Sequence, residues 1–212
     1  SEYVEGSSFN KYLEVYNGTG ATVDLSDYEL RTFSNGSSSP SSSFTLSGNL
    51  ADGAVNVYAH PSYDPLLYTG TVAGTHGSVL NFTGNDAIAI YNTVTGRYVD
   101  IFGNIGCDPG TEWSNNSINT QDQTLRRKTT VCAGVTTDPS ENCPFPTLGI
   151  EWAEFPTDDV SDLGSYSSNC TSCTPPSAPT NVSTSNVTAT QMDISWTNGG
   201  GDGRLVVVKA ND

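Results

Sequence analysis

Two histidines, five cysteines and a few acidic pairs are the residues of this chain that could do chemistry. His60 stands at a strand end before Pro61, and His76 lies in a Gly/Thr-rich loop. Neither has a carboxylate or serine beside it in a relay pattern, so both read as surface or capping residues. The chain has no G-x-S-x-G, no H-E-x-x-H and no phosphate-cradling glycine loop followed by a lysine. Asp158-Asp159 and Asp108 with Glu112 have the residue types of a glycosidase, but that reaction needs two carboxyls in a cleft, which a small sandwich does not readily supply. A hard cation asks only for clustered oxygens. That makes Asp86, in Asn85-Asp86, and Asp108 and Glu112 candidate calcium ligands. Neither stretch has the spaced D-x-D-x-D-G loop, so solvated turn carboxylates are the simpler reading, and no cofactor is expected beyond a calcium ion at most.

The cysteines point to an oxidising compartment. Cys170 and Cys173 form a C-x-x-C without the further ligands a zinc site needs, so a short-loop disulfide is the better reading. Cys132 and Cys143 flank a Gly/Pro/Asp/Ser insertion that a second bridge would close, which leaves Cys107 as a small buried thiol. Connectivity stays open on sequence grounds, and Cys107 bridged to Cys132 or Cys143 is an alternative. Tyr58, Tyr63 and Tyr68 cluster around one loop and could form a sugar-stacking face, while Trp113, Trp152 and Trp196 read as core. Arg126-Arg127-Lys128 is the one basic cluster, and on a strand its alternate members face opposite sides, as in a salt-bridged strand.

Lys+Arg is 8 against Asp+Glu 23, a formal net charge of -15, so a polyanion would meet repulsion and nucleic acid is a disfavoured partner. No apolar run approaches the roughly 18 residues of a membrane helix, so no membrane insertion is expected. The start carries no basic-plus-apolar export segment, so any such signal has been removed or lies upstream. Gly, Ser, Thr and Asn are abundant and Met occurs once, which describes a turn-rich all-β chain.

The elements that must position these residues are short alternating strands. Leu13 and Val15 share one face, Val23 and Leu25 pin a bend, and Tyr28 and Leu30 start the next face. Strands are expected at Glu2 to Gly6, Phe9 to Asn17, Tyr28 to Phe33 and Val55 to Ala59, with one helical turn over Ser62 to Leu67. Ala87 to Tyr91 and Arg97 to Phe102 make the clearest hairpin, and Asp122 to Lys128 leads into the last strands. A Cys/Pro-rich linker over 168–179 separates residues 1–167 from a pattern that restarts at 180–212 with Val182, Ile194, Trp196 and Leu205 to Lys209.

Several blocks carry a resemblance. Leu13-Glu-Val-Tyr-Asn-Gly-Thr-Gly, Val23-Asp-Leu-Ser-Asp-Tyr-Glu-Leu, Leu50-Ala-Asp-Gly, Asn81-Phe-Thr-Gly-Asn-Asp-Ala-Ile-Ala-Ile-Tyr, Asp108-Pro-Gly-Thr-Glu-Trp and Thr124-Leu-Arg-Arg-Lys stand in an order that resembles the bacterial lamin-tail domain over residues 1–167. Pro176-Ser-Ala-Pro-Thr-Asn-Val with Ile194-Ser-Trp-Thr-Asn-Gly resembles the opening of a fibronectin type III repeat. The resemblance implies an all-β fold, an immunoglobulin-like β-sandwich plus a partial second β domain, in a secreted or surface-attached protein. The insertion with Cys132 and Cys143 departs from that pattern, and no nuclease domain is present.

The expectation is therefore a non-catalytic secreted or cell-surface adhesion or accessory module whose partners are further domains of its own polypeptide or neighbouring copies, with surface carbohydrate as a further candidate. Two alternatives remain: an extracellular filament subunit assembled by strand complementation through Trp196, Val206 and Val208, and an accessory domain of a secreted nuclease or other hydrolase.

Overall fold

The computed structural model describes residues 1–115, 118–139, 143–170, 180–188 and 190–197. The chain divides into two compact units, Ser1–Ser172 and Cys173–Asp212. The strands of the first unit are β1 Glu2–Glu5, β2 Lys11–Tyr16, β3 Val23–Asp24, β4 Tyr28–Phe33, β5 Ser42–Thr45, β6 Asn49–Leu50, β7 Val55–Ala59, β8 Gly74–Thr75, β9 Ala87–Asn92, β10 Arg97–Phe102, β11 Ser114–Asn115, β12 Ile118–Asn119, β13 Thr124–Arg127 and β14 Trp152–Phe155. The helix α1, Leu148–Glu151, is a single turn. The helical turn expected over residues 62–67 is confined to its second half, too short to make a helix: the Asp64 side chain accepts from Leu66 N, and its carbonyl accepts from Leu67 N and Tyr68 N.

A six-stranded sheet runs β14-β13-β1-β2-β7-β8 and a four-stranded sheet runs β10-β9-β4-β5. Every pair is antiparallel except β7 with β8. The two sheets form a sandwich, and the fold is all-β as expected. Tyr3, Leu13, Val15, Leu125 and Trp152 of the first sheet share one core with Leu30, Phe33, Ile88, Ile101 and Phe102 of the second. The Tyr3 ring stacks on Phe102 at 4.3 Å, and Phe102 meets Trp152 edge-on at 5.2 Å, so aromatic pairs tie sheet to sheet.

An antiparallel sheet commonly leaves one face to water. Here the outer face of the six-stranded sheet is covered too. Val4, Tyr12, Val57 and Ala59 on that face pack with Tyr68 and Leu163, flanked by Tyr63, Val72 and Val160. The cover comes from the loop after β7 and from a strap that follows β14. Asp158 accepts from Ser7 N (2.8 Å) and Ser7 Oγ (2.6 Å), Gly164 N donates to Glu14 Oε2 (2.7 Å), and the Tyr166 hydroxyl donates to Lys128 O (3.2 Å). A Cβ on Gly6 would collide with Asp158 Oδ1, so the strap requires glycine there.

The disulfides correct the sequence reading. Cys107 pairs with Cys143 (Cα–Cα 5.2 Å) and Cys132 with Cys170 (Cα–Cα 5.5 Å), so neither Cys132–Cys143 nor Cys170–Cys173 forms and Cys107 is not free. Cys173 lies outside the described residues. The reason is the path of the insertion, which runs along the edge of β10 instead of turning back. Val135 N donates to Asp100 Oδ1, Ile105 N donates to Asp138 Oδ1, and Asn104 Nδ2 donates to Pro144 O. Cys143 is thereby carried to Cys107, while Cys132 stays near the end of β13, where Asn169 N donates to Thr129 O and brings Cys170 alongside. Residues 168–170, expected as linker, are thus bound to the sandwich.

In the second unit β15, Thr180–Ser185, pairs with β16, Asp193–Thr197. Ile194 and Trp196 are half-buried on β16, whereas every residue of β15 is exposed. Val206 and Val208 lie outside the described residues.

Candidate functional site

The calcium candidates Asp86 and Asp108 come together where the β4–β5 loop, the turn before β9 and the loop after β10 meet. Asp86 is buried and accepts from Asn35 N (2.9 Å) and Thr83 N (2.9 Å), so its carboxylate fastens two loops. Asp108 Oδ1 accepts from Gly110 N (2.8 Å), a local turn of the kind aspartate favours. Gly36, at φ +76°, lies so close to this loop that a Cβ would come within 2.8 Å of the Asp108 backbone nitrogen.

The centre of the cluster is Asn85, which the sequence offers, with Asp86, as a contributor of oxygen ligands. Its Nδ2 donates toward Asn35 Oδ1 (3.2 Å), Asp108 Oδ1 (3.3 Å) and Gly110 O (2.9 Å). Three oxygens thus converge on an amide nitrogen where a calcium reading would place the ion, and Asn85 is itself buried. Glu112 is half-buried and joins none of these contacts. Among the described residues no group of three His, Cys, Asp or Glu side chains is placed to hold a metal ion.

The tyrosine face is not formed. Tyr58 and Tyr68 are buried, Tyr58 meeting Phe44 edge-on at 6.0 Å, while Tyr63 and Tyr68 each meet Tyr12 edge-on at 5.6 Å. Their ring faces belong to the sandwich because β7 points Tyr58 into the core and the following loop folds Tyr63 and Tyr68 over the outer sheet face. Both histidines act as local caps: His60 Nδ1 accepts from Ser62 N (3.1 Å) and His76 Nδ1 from Val79 N (3.1 Å). His60 also stacks on Phe9 at 4.4 Å, and burial lowers its pKa. Trp113 and Trp152 are core residues as expected.

Arg126 and Arg127 point to opposite faces of β13, as the strand reading requires. Arg126 pairs with Glu2 (3.1 Å) and Asp159 (2.8 Å) under the strap, and Arg127 pairs with Asp100 and Glu151 (2.8 Å) on the other side. Of the acids around Arg126, Asp159 stood out only within the Asp158-Asp159 pair, and Glu2 and Glu14 were missed from the sequence. Glu2 and Glu14 are directly opposite across β1 and β2, both buried. Burial raises the Glu2 pKa from its ordinary 4.5 to about 7, Arg126 opposing and Glu14 adding to the rise; burial also raises Glu14. The available signal was their register, alternate positions on neighbouring strands, but it appears only once the pairing is known.

No family model matches the chain, and no curated protein or solved structure matches it. The arrangement itself must therefore carry the functional reading. No helix among the described residues is long and apolar enough to cross a membrane. Two disulfides are the mark of a protein that matures outside a reducing compartment.

Proposed function

We propose that the chain is a non-catalytic, secreted or cell-surface module with an adhesion or accessory role in a larger extracellular protein. The observation that carries this reading is the pair of interlaced disulfides: they brace the loop after β10 and the exit of the sandwich, and such bridges form and persist in an oxidising milieu. The resemblance of residues 1–167 to the lamin-tail domain supports it, as does the continuation into a second β unit. Asp86, Asp108, His60 and His76 serve turns and loops. The partners are further domains of the same polypeptide or its neighbours, and the formal net charge of -15 turns nucleic acid away. Surface carbohydrate would have to be bound by loops other than the tyrosines.

Purified protein should give no turnover across DNA and polysaccharides while adhering to cells or surface glycans. Metal-dependent hydrolysis that disappears in Asp108→Asn or Glu112→Gln would overturn the reading in favour of a secreted nuclease or other hydrolase.

One observation favours the filament alternative. On the described hairpin of the second unit, Val182 (63%), Val187 (65%) and Met192 (45%) are exposed, an apolar surface that a further strand would cover. Strands from a neighbouring copy would cover it. Electron microscopy of native material decides: fibres that dissociate when Val206 and Val208 are made charged establish strand complementation, and monodisperse particles end it.

A further inference from the structure

We infer that Asn81 is an acceptor for an N-linked glycan. The inference rests on the extracellular reading above and adds a covalent modification to it. The chain contains seven N-x-S/T tripeptides, at Asn17, Asn35, Asn81, Asn115, Asn169, Asn181 and Asn186. Such a tripeptide is an acceptor only where the asparagine is on the surface of an exported chain and its amide nitrogen is available.

The structure sorts them. Asn17 is buried, and its Nδ2 donates to Ala21 O and Leu50 O, both at 2.8 Å, which closes it. Asn35 is tied by its Oδ1 into the Asn85 cluster. Asn169, Asn181 and Asn186 each engage Nδ2, with Thr129 Oγ1 (2.9 Å), Thr197 Oγ1 (3.1 Å) and Asp193 Oδ2 (2.6 Å). The hydroxyl residue of the Asn115 tripeptide, Ser117, lies outside the described residues.

Asn81 differs from all of these. It is exposed, its side chain makes no hydrogen bond, and it stands between Leu80 and Phe82, which are both fully buried. Two buried anchors on either side turn the intervening side chain toward solvent. Thr83 is held in the turn before β9 through its backbone nitrogen and Oγ1, both bonded to Asp86 Oδ2. The tripeptide therefore sits in irregular backbone between two fixed points, with its asparagine side chain exposed to solvent. In the transfer, Nδ2 bonds to the anomeric carbon of a lipid-pyrophosphate-linked oligosaccharide. The anomeric carbon–oxygen bond breaks, the lipid pyrophosphate leaves with its electron pair, and the amide proton passes to a base of the membrane transferase.

The test is glycopeptide mass spectrometry on the protein recovered from the surface or medium of the cells that make it, with disulfide mapping of the same sample. The expected result is a glycan on the Asn81 peptide, none on the Asn17 peptide, and loss of one glycan mass in Asn81→Gln with the melting temperature within a few degrees of the parent. Thr83→Ser should keep the glycan. A bare Asn81 peptide in exported protein with both disulfides formed overturns this inference alone, whereas reduced, intracellular protein overturns the extracellular reading with it.

Discussion

Replacing Cys132 and Cys170 together by serine tests the connectivity and the role of the strap at once. The bridge closes 38 residues of chain, and in the chain-entropy treatment a loop of that length contributes about 4 kcal/mol by restricting the unfolded state. Part of the closure survives in the native state, because Asn169 still donates to Thr129 through both its backbone nitrogen and Nδ2. Native contacts of this kind do not restore the restriction on the unfolded chain, so the loss expected in the double variant is about 3–4 kcal/mol. Urea unfolding followed through the buried Trp113 and Trp152 reads it directly, and the m-value should rise slightly because the unfolded chain expands. The Cys107–Cys143 bridge spans a similar 36 residues and should survive in the variant, as peptide mapping under non-reducing conditions will show. A loss below about 1 kcal/mol, or a Cys132–Cys143 peptide in the parent protein, would refute the reasoning.

Other perturbations probe other parts of the molecule. Leu125→Ala, at a fully buried position between the sheets, should cost about 2–5 kcal/mol in the same unfolding assay. Because the folded state holds the Glu2 proton more tightly than the unfolded chain, stability should rise as pH falls from about 7 toward 4.5, by up to roughly 3 kcal/mol, and this slope should flatten in Glu2→Gln; an unchanged slope in the variant would sink the assignment. Asn85→Ala strips a donor from three oxygens and should cost about 1–3 kcal/mol. Since the Asn85 amide fills that cluster, chelating calcium should leave the melting temperature of the parent where it was, and a drop of several degrees would restore the cation reading.

Local alternation made much of the sandwich legible. The hairpin of β9 and β10, the strand β2 and the opposed arginines of β13 follow from side-chain period alone. Long-range features did not. Pairing Cys132 with Cys143 followed from proximity in sequence, but the intervening residues are drawn along β10 by Asp100 and Asp138, and nothing local announces that path. Tyr58, Tyr63 and Tyr68 look alike as a cluster, yet only the sheet direction shows that Tyr58 faces the core and the others the outer cover. In the same way β2 reads as half-polar because of Lys11 and Glu14, although both are buried, Lys11 against Glu5 and the Gly6 carbonyl and Glu14 beneath the later strap. A covered second face cannot be read from the strand it covers.

The register of β1 and β13 has a mechanical consequence. Glu2 lies opposite Arg126 and Val4 opposite Thr124, so the start of β1 and the end of β13 are at the same end of the sheet. Cys170 is clamped just beyond that end of β13 by Cys132. Tension applied between Ser1 and Cys170 would thus bypass the strap, whose length is locked behind a covalent bond. The far end of the sheet, with the half-exposed Phe9 on His60 and the exposed Leu66, carries none of that tension.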